Sequence, residues 1–154
     1  MTKKTIFLTG GTGNMGWAGF QELYRRKDRF DIRILARDSK KNHKLLDKYA
    51  SDPSVTVVWG DLMRYEDVLV GVSGSDYVLH VGGMVSPAAD YFPEKTLKVN
   101  VSAAENVVNA VLAQPDKDNI KVVYIGSVAQ YGDRNPPYHW GGADEPQTPA
   151  KYDM

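Results

Sequence analysis

Apolar positions along the chain follow two different periods. Five short runs are rich in β-branched residues, and the segments between them carry apolar residues at the spacing of an amphipathic helix. The runs predict strands at residues 5–9, 31–36, 55–59, 77–81 and 121–125. Because strands that alternate with helices pair in parallel through crossovers, the pattern predicts one parallel sheet with flanking helices.

The segments between the runs predict helices at residues 15–26, 41–49, 65–70 and 98–113. The last of these is the longest and carries two adjacent apolar stripes. The first stripe contains Val99, Ala103, Val107 and Val111, and the second contains Val101, Ala104, Val108 and Leu112. Two stripes predict a helix that contacts neighbours on two sides.

A glycine-rich segment joins the first predicted strand to the first predicted helix. Gly10 allows a tight turn, Gly13 lets a pyrophosphate approach the backbone, and Gly16 lets the helix lie close to the strand. The start of the helix offers free N–H groups and the positive end of its dipole to phosphates. The segment favours a dinucleotide-binding turn, and a plain strand-to-helix turn is the alternative.

Right-handed crossovers place the predicted strands in the order 3-2-1-4-5. This is a Rossmann-type, doubly wound α/β fold, in which ligands bind where the strand order reverses, between strands one and four. The loops that follow strands one, four and five are therefore the candidate site. Small residues occur in all three loops, at residues 10–16, 82–83 and 126–132.

Length and composition predict a single dinucleotide-binding domain at residues 1–132, followed by a proline- and glycine-rich loop at residues 133–154.

Lysine plus arginine equal aspartate plus glutamate at 19 each, which argues against nucleic acid or a membrane as a partner. The chain has no cysteine, which excludes disulfides and thiolate ligands. Its three histidines are scattered, so we expect no metal site. No apolar run reaches membrane-spanning length, and we expect a cytoplasmic protein.

Five motifs, in order, resemble the extended short-chain dehydrogenase/reductase superfamily, which includes the NAD(P)-dependent epimerases and dehydratases. They lie at residues 9–16, 60–62, 80–83 and 99–101, and at Ser127 with 131–132. The resemblance covers nearly the whole chain. It implies hydride transfer at a carbonyl or hydroxyl of a small molecule, for example a nucleotide sugar.

The resemblance also implies that Asp61 and Leu62 flank the adenine and that Asn100 shapes the nicotinamide pocket. It implies that the ribose and nicotinamide side is lined by Val81, Gly82 and Gly83. Asn14 and Met15 belong to the cofactor turn, where the family more often has an aromatic and an aliphatic residue. The glycine pair at 82–83 replaces a more usual alanine pair. These departures leave the substrate class open.

The end of the second predicted strand bears on the choice between NAD and NADP. An acidic residue there binds the ribose 2′-hydroxyl, whereas an arginine accommodates a 2′-phosphate. Ala36 occupies the acidic position and Arg37 follows it, with Lys40 and Lys41 nearby, so NADP is favoured and NAD is possible. Two alternatives stay open: the cations form a solvated loop, or Asp38 turns inward to the hydroxyl.

Catalysis, as the resemblance implies, uses a serine after strand five and a Tyr-x-x-x-Lys pair. Ser127 fits the serine, which orients the reacting group, although a serine there can also satisfy backbone groups. The tyrosine is either Tyr152 or the residue that would follow Met154. We therefore expect a chain truncated before the catalytic helix and substrate lobe, and inactive by itself.

Such a chain lacks the cover that the missing helix and strand provide. We expect it to form homo-oligomers through an exposed sheet edge or face. A non-catalytic nucleotide-sensing or scaffold protein on the same fold is the alternative function, because fold alone does not specify activity.

Overall fold

The computed structural model describes residues 2–132 and 142–148. The chain divides into two compact units, Met1–Tyr124 and Ile125–Met154. The first unit holds a five-stranded sheet in the order β3-β2-β1-β4-β5, and every neighbouring pair is parallel. The predicted strand order and the Rossmann-type fold class are confirmed.

Each strand lies within one residue of its predicted bounds. The strands are β1 (Lys4–Thr9), β2 (Phe30–Ala36), β3 (Val55–Trp59), β4 (Tyr77–His80) and β5 (Lys121–Tyr124). The helices are α1 (Asn14–Arg25), α2 (Lys40–Ala50), α3 (Tyr65–Val72), α4 (Ala88–Tyr91) and α5 (Pro93–Leu112). Short 3-10 helices span Lys117–Asn119 and Val128–Tyr131.

Two helices depart from the sequence prediction. Helix α5 begins at Pro93 rather than at residue 98, because proline in the first turn has no intrahelical N–H bond to lose and already has a helical φ. Helix α4 was not predicted. It has four residues, too few to show a helical period.

Two apolar clusters pack on opposite faces of the sheet, because successive strand residues point to opposite sides. Phe7 on β1 belongs to the cluster formed with α3 and α5, and Leu8 belongs to the cluster formed with α1 and α2. Phe7 and Phe20 are fully buried in these two clusters. The central strand β1 is thus covered on both sides, and its carboxyl end is held in a fixed place.

The two apolar stripes of α5 have different environments. Ala103 and Val107 of the first stripe are buried, and Val107 packs in the cluster that contains Phe7 of β1, whereas Val108 and Leu112 of the second stripe are 50% and 57% exposed. Among the described residues, α5 therefore packs against the sheet and α3 and leaves most of its second stripe exposed. Helical period identifies an apolar face but does not say what covers it.

Strand β5 is exposed along its whole length. Within the described residues it pairs only with β4, so its other edge is open. Its apolar side chains Val122, Val123 and Tyr124 are also exposed.

In the part of the chain that the structure describes, no helix is both long enough and apolar enough to span a bilayer.

Candidate functional site

The glycine turn lies between the carboxyl end of β1 and the start of α1. Gly10 has φ +68°, in the left-handed region that favours glycine. The Gly13 N–H donates to the Gly10 carbonyl at 2.9 Å and closes the turn, and Gly13 is then the N-cap of α1. The predicted strand–turn–helix context is therefore present.

Three of the four glycines in the turn, Gly10, Gly13 and Gly16, differ in what would meet a β-carbon. A β-carbon at Gly10 would lie 2.6 Å from the Gly82 backbone, and one at Gly16 would lie 2.1 Å from the Gly10 carbonyl oxygen. Among the described residues, one at Gly13 would meet only the Gly10 oxygen, at an ordinary 3.4 Å. Packing within the protein thus requires glycine at Gly10 and Gly16. At Gly13 it does not, and the space beside this residue is open.

The N-terminus of α1 is available to an anion. Its N-cap is a glycine without a side chain, so no side chain caps the helix, and its first turn contains no acidic residue. Asn14 and Met15 follow the cap and are exposed. The first N–H groups of a helix have no intrahelical acceptor, so this end combines free donors with the positive end of the dipole.

A hydrogen-bonded chain links the ends of β1 and β4 to the next loop. The Gly82 N–H donates to Thr9 Oγ1 at 3.1 Å, and Thr9 Oγ1 lies 2.8 Å from His80 Nδ1. Because the hydroxyl oxygen accepts from Gly82, its hydrogen is free to donate to a neutral His80 Nδ1. His80 is 3% exposed, as expected for a structural histidine. These hydrogen bonds fix the backbone at Gly82, which faces the glycine turn.

Asn100 clamps the loop after β4 from the side of α5. Its Oδ1 accepts from the Met84 N–H at 2.7 Å, and its Nδ2 donates to the Met84 carbonyl at 3.0 Å. A β-carbon at Gly83 would lie 3.1 Å from Asn100 Oδ1. Both polar groups of Asn100 are therefore engaged with backbone. This residue shapes the loop by holding it.

The loop after β3 meets the loop after β4. A β-carbon at Gly82 would lie 2.5 Å from Leu62 Cδ1, so Leu62 packs directly on this glycine. Asp61 Oδ1 accepts from the Met63 N–H at 2.9 Å and stabilises its own turn. Asn106 of α5 donates to the Leu62 carbonyl at 2.8 Å, a contact that the sequence did not reveal. A polar residue within an apolar helical pattern is the signal that would have found it.

The first unit thus brings most of the predicted cofactor residues to one edge of the sheet. Gathered at the carboxyl ends of β1, β3 and β4 are Gly10, Gly13, Asn14, Met15, Gly16, Asp61, Leu62, Val81, Gly82, Gly83 and Asn100. Val81 also packs against the cluster on the α1 side. Arg37 is exposed directly after β2, and its carbonyl accepts from Asn42 Nδ2 at 2.8 Å.

Ser127 belongs to the second unit, at the start of the 3-10 helix Val128–Tyr131. Its Oγ accepts from the Ala129 N–H at 3.2 Å, which is the contact expected of a serine that satisfies backbone groups. Tyr152 lies outside the described residues. Within residues 2–132 and 142–148, no group of three or more histidine, aspartate or glutamate side chains could hold a metal ion.

Burial of His80 makes the stability of the fold depend on pH. Desolvation lowers the pKa of His80 below its ordinary value of 6.5. The unfolded chain protonates His80 more readily than the folded chain does. The free energy of unfolding therefore has its full value above the pKa of His80 in the unfolded state. It falls as the pH drops through the pKa of His80 in the folded state. Denaturant unfolding between pH 5 and pH 8 should show this fall, with a slope of at most about 1.4 kcal/mol per pH unit.

The matched variant is His80→Asn, which keeps an acceptor for Thr9 but does not titrate. Its free energy of unfolding should lack the part of the slope due to His80, because the other histidines are unchanged. The same slope in wild type and His80→Asn would contradict this assignment.

A parallel sheet in this strand order, with a glycine turn beside its switch point, defines a Rossmann-type, doubly wound fold. The model of the NAD dependent epimerase/dehydratase family matches residues 6–152, and the chain belongs to this family. The family supports a nicotinamide dinucleotide as the type of cofactor.

Relatives of known activity are similar over most of this chain. A UDP-glucose 4-epimerase of Rickettsia massiliae is 31% identical over 113 residues, and one of Rickettsia canadensis is 33% identical over 113 residues. Each alignment covers 71% of this chain and 33% of the relative. The chain therefore spans about a third of the length of the curated relatives it matches.

Solved structures share the fold at lower identity. The UDP-Glc/GlcNAc 4-epimerase of Campylobacter jejuni has a TM-score of 0.76 at 18% identity, covering 96% of this chain and 44% of that one. WbmH of Bordetella bronchiseptica, solved with NAD+, has a TM-score of 0.74 at 22% identity, covering 97% of this chain and 48% of that one.

Proposed function

We propose that this chain binds a nicotinamide dinucleotide at the carboxyl ends of β1, β3 and β4. It would be the cofactor-binding portion of an enzyme that transfers hydride at a carbonyl or hydroxyl of a small molecule, such as a nucleotide sugar. The observation that carries the proposal is the open space beside Gly13, where packing within the protein does not require glycine. A pyrophosphate that approaches the backbone there supplies the missing reason for a glycine.

The described residues divide the binding work among them. The free N–H groups at the start of α1 would bind the pyrophosphate. Asp61 and Leu62 would flank the adenine, and residues 81–83 would line the ribose and nicotinamide. Thr9 and Asn100 touch this loop by hydrogen bonds and would hold it in shape. The cofactor would supply the hydride acceptor or donor.

Ser127 is proposed to orient the reacting carbonyl or hydroxyl. Its side chain is exposed, and accepting a hydrogen bond from Ala129 leaves the hydroxyl hydrogen free to be donated. The proton-transferring tyrosine would be Tyr152 or a residue that follows Met154. We propose that the chain alone lacks turnover, because residues 1–154 hold no lysine four positions after either candidate.

At the adenosine end, we favour NADP over NAD. Ala36 is 3% exposed and offers no carboxylate to a ribose 2′-hydroxyl. Arg37 follows it, exposed, with no ion pair to any described residue. A guanidinium in this position suits a phosphate, because its planar donors match phosphate oxygens.

Calorimetric titration with NADP and with NAD tests the site and the preference together. Wild type should bind NADP more tightly, and Arg37→Ala should lose roughly tenfold in NADP affinity while NAD affinity changes little. Arg29→Ala is the matched control, because Arg29 is an exposed arginine at the opposite end of β2. A folded chain that binds neither cofactor would overturn the proposed site, and equal loss for both cofactors would overturn only the phosphate role.

We further propose that the chain self-associates. The supporting observations are the exposed second stripe of α5 and the open, apolar edge of β5. Monomeric proteins rarely leave large contiguous apolar patches or long flat strand edges uncovered.

A further inference from the structure

His43, near the start of α2, makes two close side-chain contacts. Its Nε2 lies 2.9 Å from Asp38 Oδ1, and its ring stacks on Trp59 with centroids 3.9 Å apart and planes at 26°. An ionised carboxylate can only accept, so Nε2 carries the hydrogen of this bond. Its Nδ1 is 3.7 Å from Asp47 Oδ1, too far for a hydrogen bond. The ring is therefore aimed at Asp38 and supported by Trp59.

This pair lies where β2 and β3 end. Trp59 is the register partner of Ala36, and the Gly60 N–H donates to the Ala36 carbonyl at 3.0 Å. Asp38 follows Ala36 by two residues. His43 thus stands beside the position at which a dinucleotide fold distinguishes a ribose 2′-hydroxyl from a 2′-phosphate.

The loop that carries Asp38 is held by its own contacts. Ser39 Oγ accepts from the Asn42 N–H at 3.2 Å and caps α2, while Asn42 Nδ2 donates to the Arg37 carbonyl. The backbone on both sides of Asp38 is therefore held independently of His43. Removing the imidazole should release the carboxylate rather than the loop.

We propose that His43 determines cofactor specificity by holding the Asp38 side chain toward α2, so that this acid does not turn to a ribose 2′-hydroxyl. The inference rests on the proposed function, and it explains how an acid next to Arg37 is compatible with a 2′-phosphate. A carboxylate released at this position would both bind a hydroxyl and repel a phosphate. Held toward α2 by His43, the carboxylate would lie away from both groups.

The test is the variant His43→Phe, which keeps an aromatic ring on Trp59 but cannot donate to Asp38. Calorimetric titration of the full chain with NADP and NAD gives the ratio of the two affinities. We expect His43→Phe to shift this ratio about tenfold toward NAD. Adding Asp38→Ala should return the ratio to the wild-type value, because the two residues act as one pair.

Asp38→Ala alone is the second variant, at an exposed residue whose loss should leave the fold intact. Its ratio should stay near wild type, since the carboxylate is already engaged. An unchanged ratio in folded His43→Phe, a shift that Asp38→Ala does not reverse, or a large rise in NADP affinity in Asp38→Ala alone would each overturn the inference. A folded wild type that binds neither cofactor would overturn the proposed function and this inference with it. A wild type that prefers NAD, but whose ratio still shifts in His43→Phe, would overturn only the preference for NADP.

Discussion

Replacing Gly13 with alanine and then valine should remove dinucleotide binding in steps, from a chain that stays folded. The φ of −88° at Gly13 suits any residue, and a β-carbon there meets the protein only at 3.4 Å. The cost to the free energy of unfolding should stay within about 1 kcal/mol, the scale of an N-cap substitution. A pyrophosphate close to this backbone would meet the new side chain directly, so we expect affinity to fall at least tenfold with alanine and beyond detection with valine.

Gly16→Ala is the matched comparison, because it adds the same methyl group three residues away. Its β-carbon would lie 2.1 Å from the Gly10 carbonyl oxygen, a backbone atom that can move only with the turn. We expect destabilisation of about 1–3 kcal/mol or more, the range for overpacked sites, together with loss of binding. Denaturant unfolding and calorimetric titration of the three variants separate the two effects.

The comparison can fail in two informative ways. Wild-type affinity in Gly13→Val would mean that no ligand approaches this glycine, which removes the main support for the proposed site. A large loss of stability in Gly13→Ala would mean that the fold itself requires the glycine. In both cases the glycine turn would have to be interpreted as a strand-to-helix connection alone.

The fold could be predicted because its signals are local. Each strand is a short β-branched run, and the crossover rule then orders the strands without knowledge of any contact. The start of α5 at Pro93 was missed because its first turn lacks apolar residues at helical spacing. The exposure of its second stripe was also missed, because a sequence shows which face is apolar but not whether anything covers it.

Which residues of the candidate site lie together could be predicted better than the contacts they make. Motif spacing placed the glycine turn and residues 82–83 at one edge of the sheet, and the structure brings them together. The clamps made by Asn100 and Asn106, and the pairing of His43 with Asp38, join side chains to partners on other elements or loops. Such contacts depend on rotamers and on how helices dock, which periodicity does not determine.

Self-association of the chain should make its measured mass rise with concentration. On α5, Val108 and Leu112 are one turn apart and at least half exposed, so they form a continuous apolar strip. On β5, the open edge offers unpaired backbone groups beside Val123. Either surface would bury apolar area against a second copy, at about 25 cal/mol for each square ångström removed from water.

Lysine variants distinguish the two surfaces. Val108→Lys with Leu112→Lys charges the helix face near the C-terminus of α5, where a cation suits the dipole. Val123→Lys charges the strand edge, as native edge strands often do. Val70→Lys is the control, because Val70 is 61% exposed on α3 and belongs to neither surface. Analytical ultracentrifugation over a hundredfold concentration range should show weaker association in one variant and none of this effect in the control.

The variant that becomes monomeric identifies the interface. If only the helix variant loses self-association, the interface is a packed helix face. The oligomer should then be closed, and its size should stop growing with concentration. Loss in the strand variant alone would assign self-association to edge pairing, in which larger assemblies should grow with concentration because each added copy presents a new edge. A wild-type chain that stays monomeric throughout the range would contradict the proposal, since exposed apolar residues on these two elements would then be insufficient to drive association.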